Sequence, residues 1–167
     1  MCSRKIESLV EQLRRQAAPE KVIVFADLDP DTCAPCIEKR KEIIGSRGMD
    51  LVVIARKALE SWFLADTEAM RSWTGNKDFF EPYPEDTDGM PWDRLKEIGR
   101  EIDREPGKSK VIFARKFIRK YEFHVRRAGN HPRCPSARYF MERLWGLSTS
   151  HPWFGKATKH VSASHQG

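Results

Sequence analysis

Two aspartates stand two apart at the end of an apolar run, in Val22-Ile23-Val24-Phe25-Ala26-Asp27-Leu28-Asp29-Pro30-Asp31. On extended backbone, residues two apart point to the same side, so Asp27 and Asp29 would lie together. Paired carboxylates repel each other and each is costly to desolvate. A divalent cation is one way to make such a pair tolerable, and Mg²⁺ takes one or two protein carboxylates while keeping its waters. The other reading of the same residues is an Asp-rich turn that caps the next helix. A third acid, Glu60, follows a second apolar run and opens a helical pattern. It reads either as a partner of Asp27 and Asp29 or as an acid complementing its own helix dipole.

A second constellation is cationic. From Arg104 to Arg143 there are twelve Lys and Arg against Glu105, Glu122 and Glu142, a local balance of +9, whereas 78–88 carries five acids and no base. A basic stretch of this density suits a polyanion, nucleic acid above all. Arg115, Lys116, Arg119, Lys120, Arg126 and Arg127 are the candidate phosphate contacts, and a solvated helix surface is the bland alternative. The third constellation is Cys33-Ala34-Pro35-Cys36. Its spacing occurs in redox and zinc sites, but no second cysteine pair or downstream His spacing completes a zinc set. Two small residues at a helix start, with a thiol acidified by the helix dipole, is the simpler reading.

The elements that must hold these residues follow from periodicity. Ile6, Leu9, Val10 and Leu13 recur at helical spacing and predict an amphipathic helix over about 4–16, with Ser3 as its cap. Unbroken apolar runs predict buried strands at Val22–Ala26 and Leu51–Ala55. Between them, Asp31 or Thr32 is set to cap a helix with Pro35 in its first turn, ended by Gly45 and Gly48. Strand, helix and strand in about 35 residues form a βαβ unit with parallel strands. Ligands of such sheets sit at the carboxyl ends of the strands, where Asp27, Asp29 and Glu60 fall.

Leu59, Trp62, Phe63, Met70 and Trp73 predict one broad apolar helix face, and 74–91 is rich in breakers and reads as loop. Trp92, Leu95, Ile98 and Ile102 mark another helix. Val111, Ile112, Phe113, Phe117, Ile118 and Tyr121 mark one beginning near Ser109, with a strand at Lys110–Ala114 as the alternative. Residues 129–135 read as loop, and a last helix capped by Ser136 carries Phe140, Met141 and Leu144 up to Gly146. A single domain over 1–147 and a flexible tail over 148–167 are expected. The tail's His151, His160 and His165 are not read as a metal site.

The totals narrow the function classes. The chain has 167 residues, a net charge of +6 and 40% hydrophobic residues, which is enough for a buried core. No apolar run approaches the roughly 20 residues of a membrane helix, and no apolar segment follows Arg4 and Lys5, so a cytoplasmic protein is expected. Cys2, Cys33, Cys36 and Cys134 suggest no disulfide framework.

Together, Asp27-Leu28-Asp29, a helix, and a second strand running into Ile54-Ala55 and then Glu60-Ser61-Trp62-Phe63-Leu64-Ala65-Asp66 resemble the Toprim-like domains related to OLD-type and RloB-type nucleases of prokaryotic defence systems. The resemblance covers residues 5–70 and extends weakly to Phe140–Leu144. It implies a three-layer α/β fold with a central, mainly parallel sheet, helices on both faces and a helical C-terminal part. It also implies a nuclease or phosphotransfer site using Mg²⁺ or Mn²⁺. Asp27 and Asp29 match the metal-binding DxD, and Glu60 matches a further acid of the OLD-type branch. A metal there would polarise a phosphodiester and prepare water for in-line attack. The Toprim glutamate of a strand before the first helix is expected to have no counterpart, since only Met1–Ser3 precede that helix, unless Glu7 or Glu11 substitutes from within it. This makes an inactive nucleic-acid-binding or interaction module the alternative, and leaves a sheet edge that another segment of the chain, or a second copy in a homodimer, could pair with.

Overall fold

The structure, a computed structural model, describes residues 2–17, 21–30 and 33–149. Its two strands, β1 (Ile23–Asp27) and β2 (Leu51–Ala55), pair in parallel with Ile23 opposite Leu51 and Asp27 opposite Ala55. They are the only sheet among the described residues. Before β1 runs α1 (Cys2–Ala17), and α2 (Ala34–Ile44) connects the strands. Thr32 and Asp31, expected as caps of α2, lie outside the described residues. Cys33 is the cap, with Pro35 in the first turn.

Alternation along β2 makes the layers. Leu51, Val53 and Ala55 pack with Trp62, Ala65, Ala128, Cys134 and Ala137 on one face. Ile54, with Val52, faces Leu28, Ile44, Ile6 and Ile37 on the other. Helices therefore cover both faces of a small parallel sheet, and the α/β class is as expected.

The single helix expected across Leu59–Trp73 is two, α3 (Glu60–Ala65) and α4 (Thr67–Thr74). The break is at Asp66, which leaves helical backbone and accepts a hydrogen bond from Ala69 N–H, so it caps α4. Helix α5 (Pro91–Glu101) and α6 (Lys110–Lys120) complete a second core of Phe63, Trp73, Trp92, Leu95, Phe113 and Phe117. Ser109 caps α6 through Ile112 N–H, which excludes the strand alternative at Lys110–Ala114.

Helix α7 (Val125–Asn130) was not expected, and it takes the first residues of the segment read as loop. It is one turn and a half, short for a periodic signal, and its buried residues are Ala128 and Gly129. The last helix, α8 (Pro135–Thr149), runs through Gly146 instead of stopping there. The tail from residue 150 lies outside the described residues. No helix among the described residues is long and apolar enough to cross a membrane.

Candidate functional site

The β1–β2 register places Asp27 at the last pair of the sheet, beside the β2–α3 junction. That junction is held to β1 by backbone: Leu28 N–H donates to Ala55 O at 3.0 Å and Asp29 N–H to Lys57 O at 2.8 Å. Lys57 has a φ of 57°, left-handed backbone that costs a residue with a Cβ. Its ammonium reaches back to the carbonyls of Thr87 and Gly89 in the loop over 75–90. Asp27 Oδ1 accepts a hydrogen bond from Leu59 N–H at 2.9 Å. Enclosure by the junction is the main cause pushing the Asp27 carboxyl above its ordinary range. Leu59 N–H opposes that shift, Glu60 and Asp29 add to it, and Lys110 opposes it.

Asp27 thus feels the charge of both Glu60 and Asp29. Glu60 begins α3, is 8% exposed, and gives Oε1 to Lys110 Nζ at 2.9 Å. Its Oε2 is buried and has no hydrogen-bond partner among the described residues. Lys110 is the first residue of α6 and lies over the Trp92 ring, 5.9 Å from its centre. The cation at this site is therefore a side chain. Among the described residues no group of three or more His, Cys, Asp or Glu side chains is arranged to hold a metal ion. In this conformation Glu60 Oε1 is taken by Lys110, and a cation shared by the three acids would have to displace that ammonium. Two clefts, of about 610 Å³ beside Tyr139 and about 340 Å³ beside Arg94, are lined by none of the three acids. Asp27 and Asp29 are exposed at the sheet end, and Glu60 lies buried beside them.

The six candidate phosphate contacts divide. Arg127 is half-buried and forms a two-pronged ion pair with fully buried Asp66, Nε to Oδ1 at 2.8 Å and Nη2 to Oδ2 at 3.0 Å. It also donates to the carbonyl of Glu122 and lies near Glu68, and the bond to Asp66 raises its already high pKa. Its role is to join α7 to the α3–α4 corner. Arg115, Lys116, Arg119, Lys120 and Arg126 are exposed, and none makes an ion pair with the described residues. Four of them lie on α6, interleaved with exposed Val111, Ile112 and Ile118.

Sequence reasoning missed Lys110 as a member of the acid site. Its only signal was its place beside the Ser109 cap, and nothing local to 110 points to Glu60. It also missed Glu85. This fully buried carboxylate takes hydrogen bonds on Oε1 from Ser136 N–H at 3.1 Å, Cys134 Sγ at 3.2 Å and the Ser136 hydroxyl. Trp62 Nε1 donates to the same hydroxyl at 2.7 Å, and burial pushes the Glu85 carboxyl up. The cluster ties the acidic loop to the start of α8.

The cysteines differ from expectation too. Cys33 and Cys36 are joined in a disulfide, with Cα atoms 5.2 Å apart, because the first turn of α2 brings a C-x-x-C pair within bridging distance. Comparison of the chain with protein-family models, with curated proteins and with solved structures yields no match to any of them.

Proposed function

We propose that the chain binds nucleic acid through its phosphates along the outer face of α6, with Arg126 at its far end. The observation that carries this reading is the set of five exposed cations, Arg115, Lys116, Arg119, Lys120 and Arg126, that no described acid neutralises. Cations of a merely solvated surface would be expected to alternate with acids, as Arg94, Glu97, Lys96 and Asp93 do on α5. Phosphate contacts position a polymer without reading its sequence. Five such contacts on duplex DNA correspond to a salt slope of about −4.5, or a loss of roughly 500-fold in affinity from 50 to 200 mM salt.

Fluorescence anisotropy on duplex DNA, single-stranded DNA and RNA over that salt range tests the reading. Replacing Arg115, Lys116, Arg119 and Lys120 with Gln should cut the slope to about −1. Unchanged binding in that variant, or binding indifferent to salt, overturns it.

A second reading is Toprim-type phosphodiester cleavage with Mg²⁺ or Mn²⁺ at Asp27, Asp29 and Glu60. The unpartnered Oε2 of buried Glu60 favours it, since a buried carboxylate oxygen without a donor is costly. This reading requires Lys110 to leave Glu60. Metal-titrated cleavage of DNA and RNA by the wild type and by Asp27→Asn decides between the two. The same proposal includes a homodimer joined through β1, whose only strand partner among the described residues is β2 and whose Phe25 is partly exposed. Light scattering tests that part, and a monomer at all concentrations removes it.

A further inference from the structure

We propose that Cys33 and Cys36 form a thiol–disulfide exchange site whose substrate is the disulfide of a small thiol or of a polypeptide. The two sulfurs have unequal surroundings. Cys33 is exposed at the cap of α2, while Cys36 is half-buried and packs against the core of Leu28, Ile44 and Ile54. Cys33 Sγ accepts a hydrogen bond from Cys36 N–H at 3.1 Å, at the start of an eleven-residue helix. Backbone donors there stabilise a thiolate on Cys33 when the bridge is open. Pro35 in the first turn has no N–H to leave unpaired.

As a staple the bridge does little. It closes a loop of four residues, and chain-entropy stabilisation grows with loop length. Cys134 is fully buried against Glu85, and both burial and that carboxylate push its pKa far up. It is inert, in contrast to the exposed Cys33 of the bridged pair.

The exchange balances as follows. In the reduced chain, the Cys33 thiolate attacks one sulfur of a disulfide R–S–S–R′. The Cys33–S–S–R bond forms and R′S⁻ leaves, taking a proton from water. Cys36 then loses its proton to water and attacks Cys33 Sγ. The Cys33–Cys36 bond forms and RS⁻ leaves to be protonated. Two electrons pass from the chain to the substrate, which is reduced to RSH and R′SH. Reversal returns the chain to its dithiol at the expense of two external thiols.

The test uses the full chain with Cys2→Ser, reduced and freed of reductant. Glutathione disulfide and insulin are the two substrates, and their relative rates separate a small from a polypeptide source. The dithiol should close completely, with two substrate thiols released per chain and no lasting adduct. Cys36→Ser should trap a one-to-one adduct on Cys33. Cys33→Ser should form an adduct on Cys36 at least about threefold more slowly, since one unit of acidification raises thiolate about tenfold and lower nucleophilicity offsets part of it. Brief alkylation of the native reduced chain, mapped by mass, should mark Cys33 before Cys36 and leave Cys134 unmarked; this readout does not depend on either variant folding. Equal labelling of Cys33 and Cys36, a persistent mixed disulfide in the intact pair, or no reduction of either substrate overturns the proposal.

Discussion

Lys110→Met removes the ammonium from Glu60 while keeping a side chain of similar length over Trp92. The cost can be bracketed. Stripping one partner from a fully buried ion pair costs about 3–5 kcal/mol, whereas an exposed pair contributes about 0–1 kcal/mol. The Glu60 side chain is 10% exposed and that of Lys110 49%, so the pair has one end in the core and the other in water. A loss of about 2 kcal/mol is expected, which lowers the melting temperature of a chain this size by about 4–8 °C. The variant removes the ammonium that acts on both Glu60 and Asp27 in the acid group. If they can take a divalent cation, Mg²⁺ at ten times its Kd restores about 1.4 kcal/mol, or about 3–6 °C.

Calorimetry of both proteins, with and without Mg²⁺ at matched ionic strength, reads these shifts. A Lys110→Met chain as stable as the wild type refutes the electrostatic dependence of Glu60 on Lys110. A destabilised variant indifferent to Mg²⁺ and Mn²⁺ keeps that dependence and sinks the metal reading.

Other perturbations separate structural charge from binding charge. Arg127→Met leaves buried Asp66 without its guanidinium and should cost about 3 kcal/mol, seen as a fall of about 6–12 °C in melting temperature; a change under 2 °C refutes the buried pair. Glu85 has its folded-state pKa raised by burial, so the folded chain holds the proton more tightly than the unfolded one. Stability tied to Glu85 should therefore be present at low pH and fall as pH rises from the ordinary value of 4.5 through the folded one. Glu85→Gln keeps an acceptor for Ser136 and should flatten that part of the pH profile in thermal melts; a wild-type-minus-variant difference independent of pH refutes it.

How much was legible in the sequence depended on how local the cause was. The runs at 22–26 and 51–55 announced β1 and β2 because strands buried on both faces need unbroken apolar residues. Ser109 announced α6 because an N-cap acts within one turn. The break at Asp66 was hidden, since the apolar spacing of Trp62, Phe63, Met70 and Trp73 continues across it. What decides the break is a buried carboxylate that answers Ala69, His124 and Arg127 at once, the last two about sixty residues away. Short α7 has no periodicity to show. The convergence of Asp27 and Glu60 at one sheet end was readable from βα topology. Lys110, which balances them, comes from a helix fifty residues on and could not be placed by spacing.

Lys110 also connects the two charged features. It belongs to the basic helix by position and to the acid site by contact, and its ammonium cannot satisfy Glu60 and a phosphate in full at the same time. A polyanion that draws Lys110 outward leaves Glu60 in need of another cation. By reciprocity, a cation that takes Glu60 releases Lys110 toward the polyanion by the same free energy. Divalent cations ordinarily weaken phosphate binding by competing for it. The coupling predicts the opposite sign for the wild type: at constant ionic strength, replacing part of the NaCl with Mg²⁺ should strengthen binding to duplex DNA, and Lys110→Met should restore the ordinary weakening. The coupling is bounded by what Lys110 gives Glu60, about 2 kcal/mol, which is roughly 30-fold in affinity. Weakening by Mg²⁺ to the same degree in both proteins would show that the acid site and the basic helix act independently, with Lys110 a structural link alone.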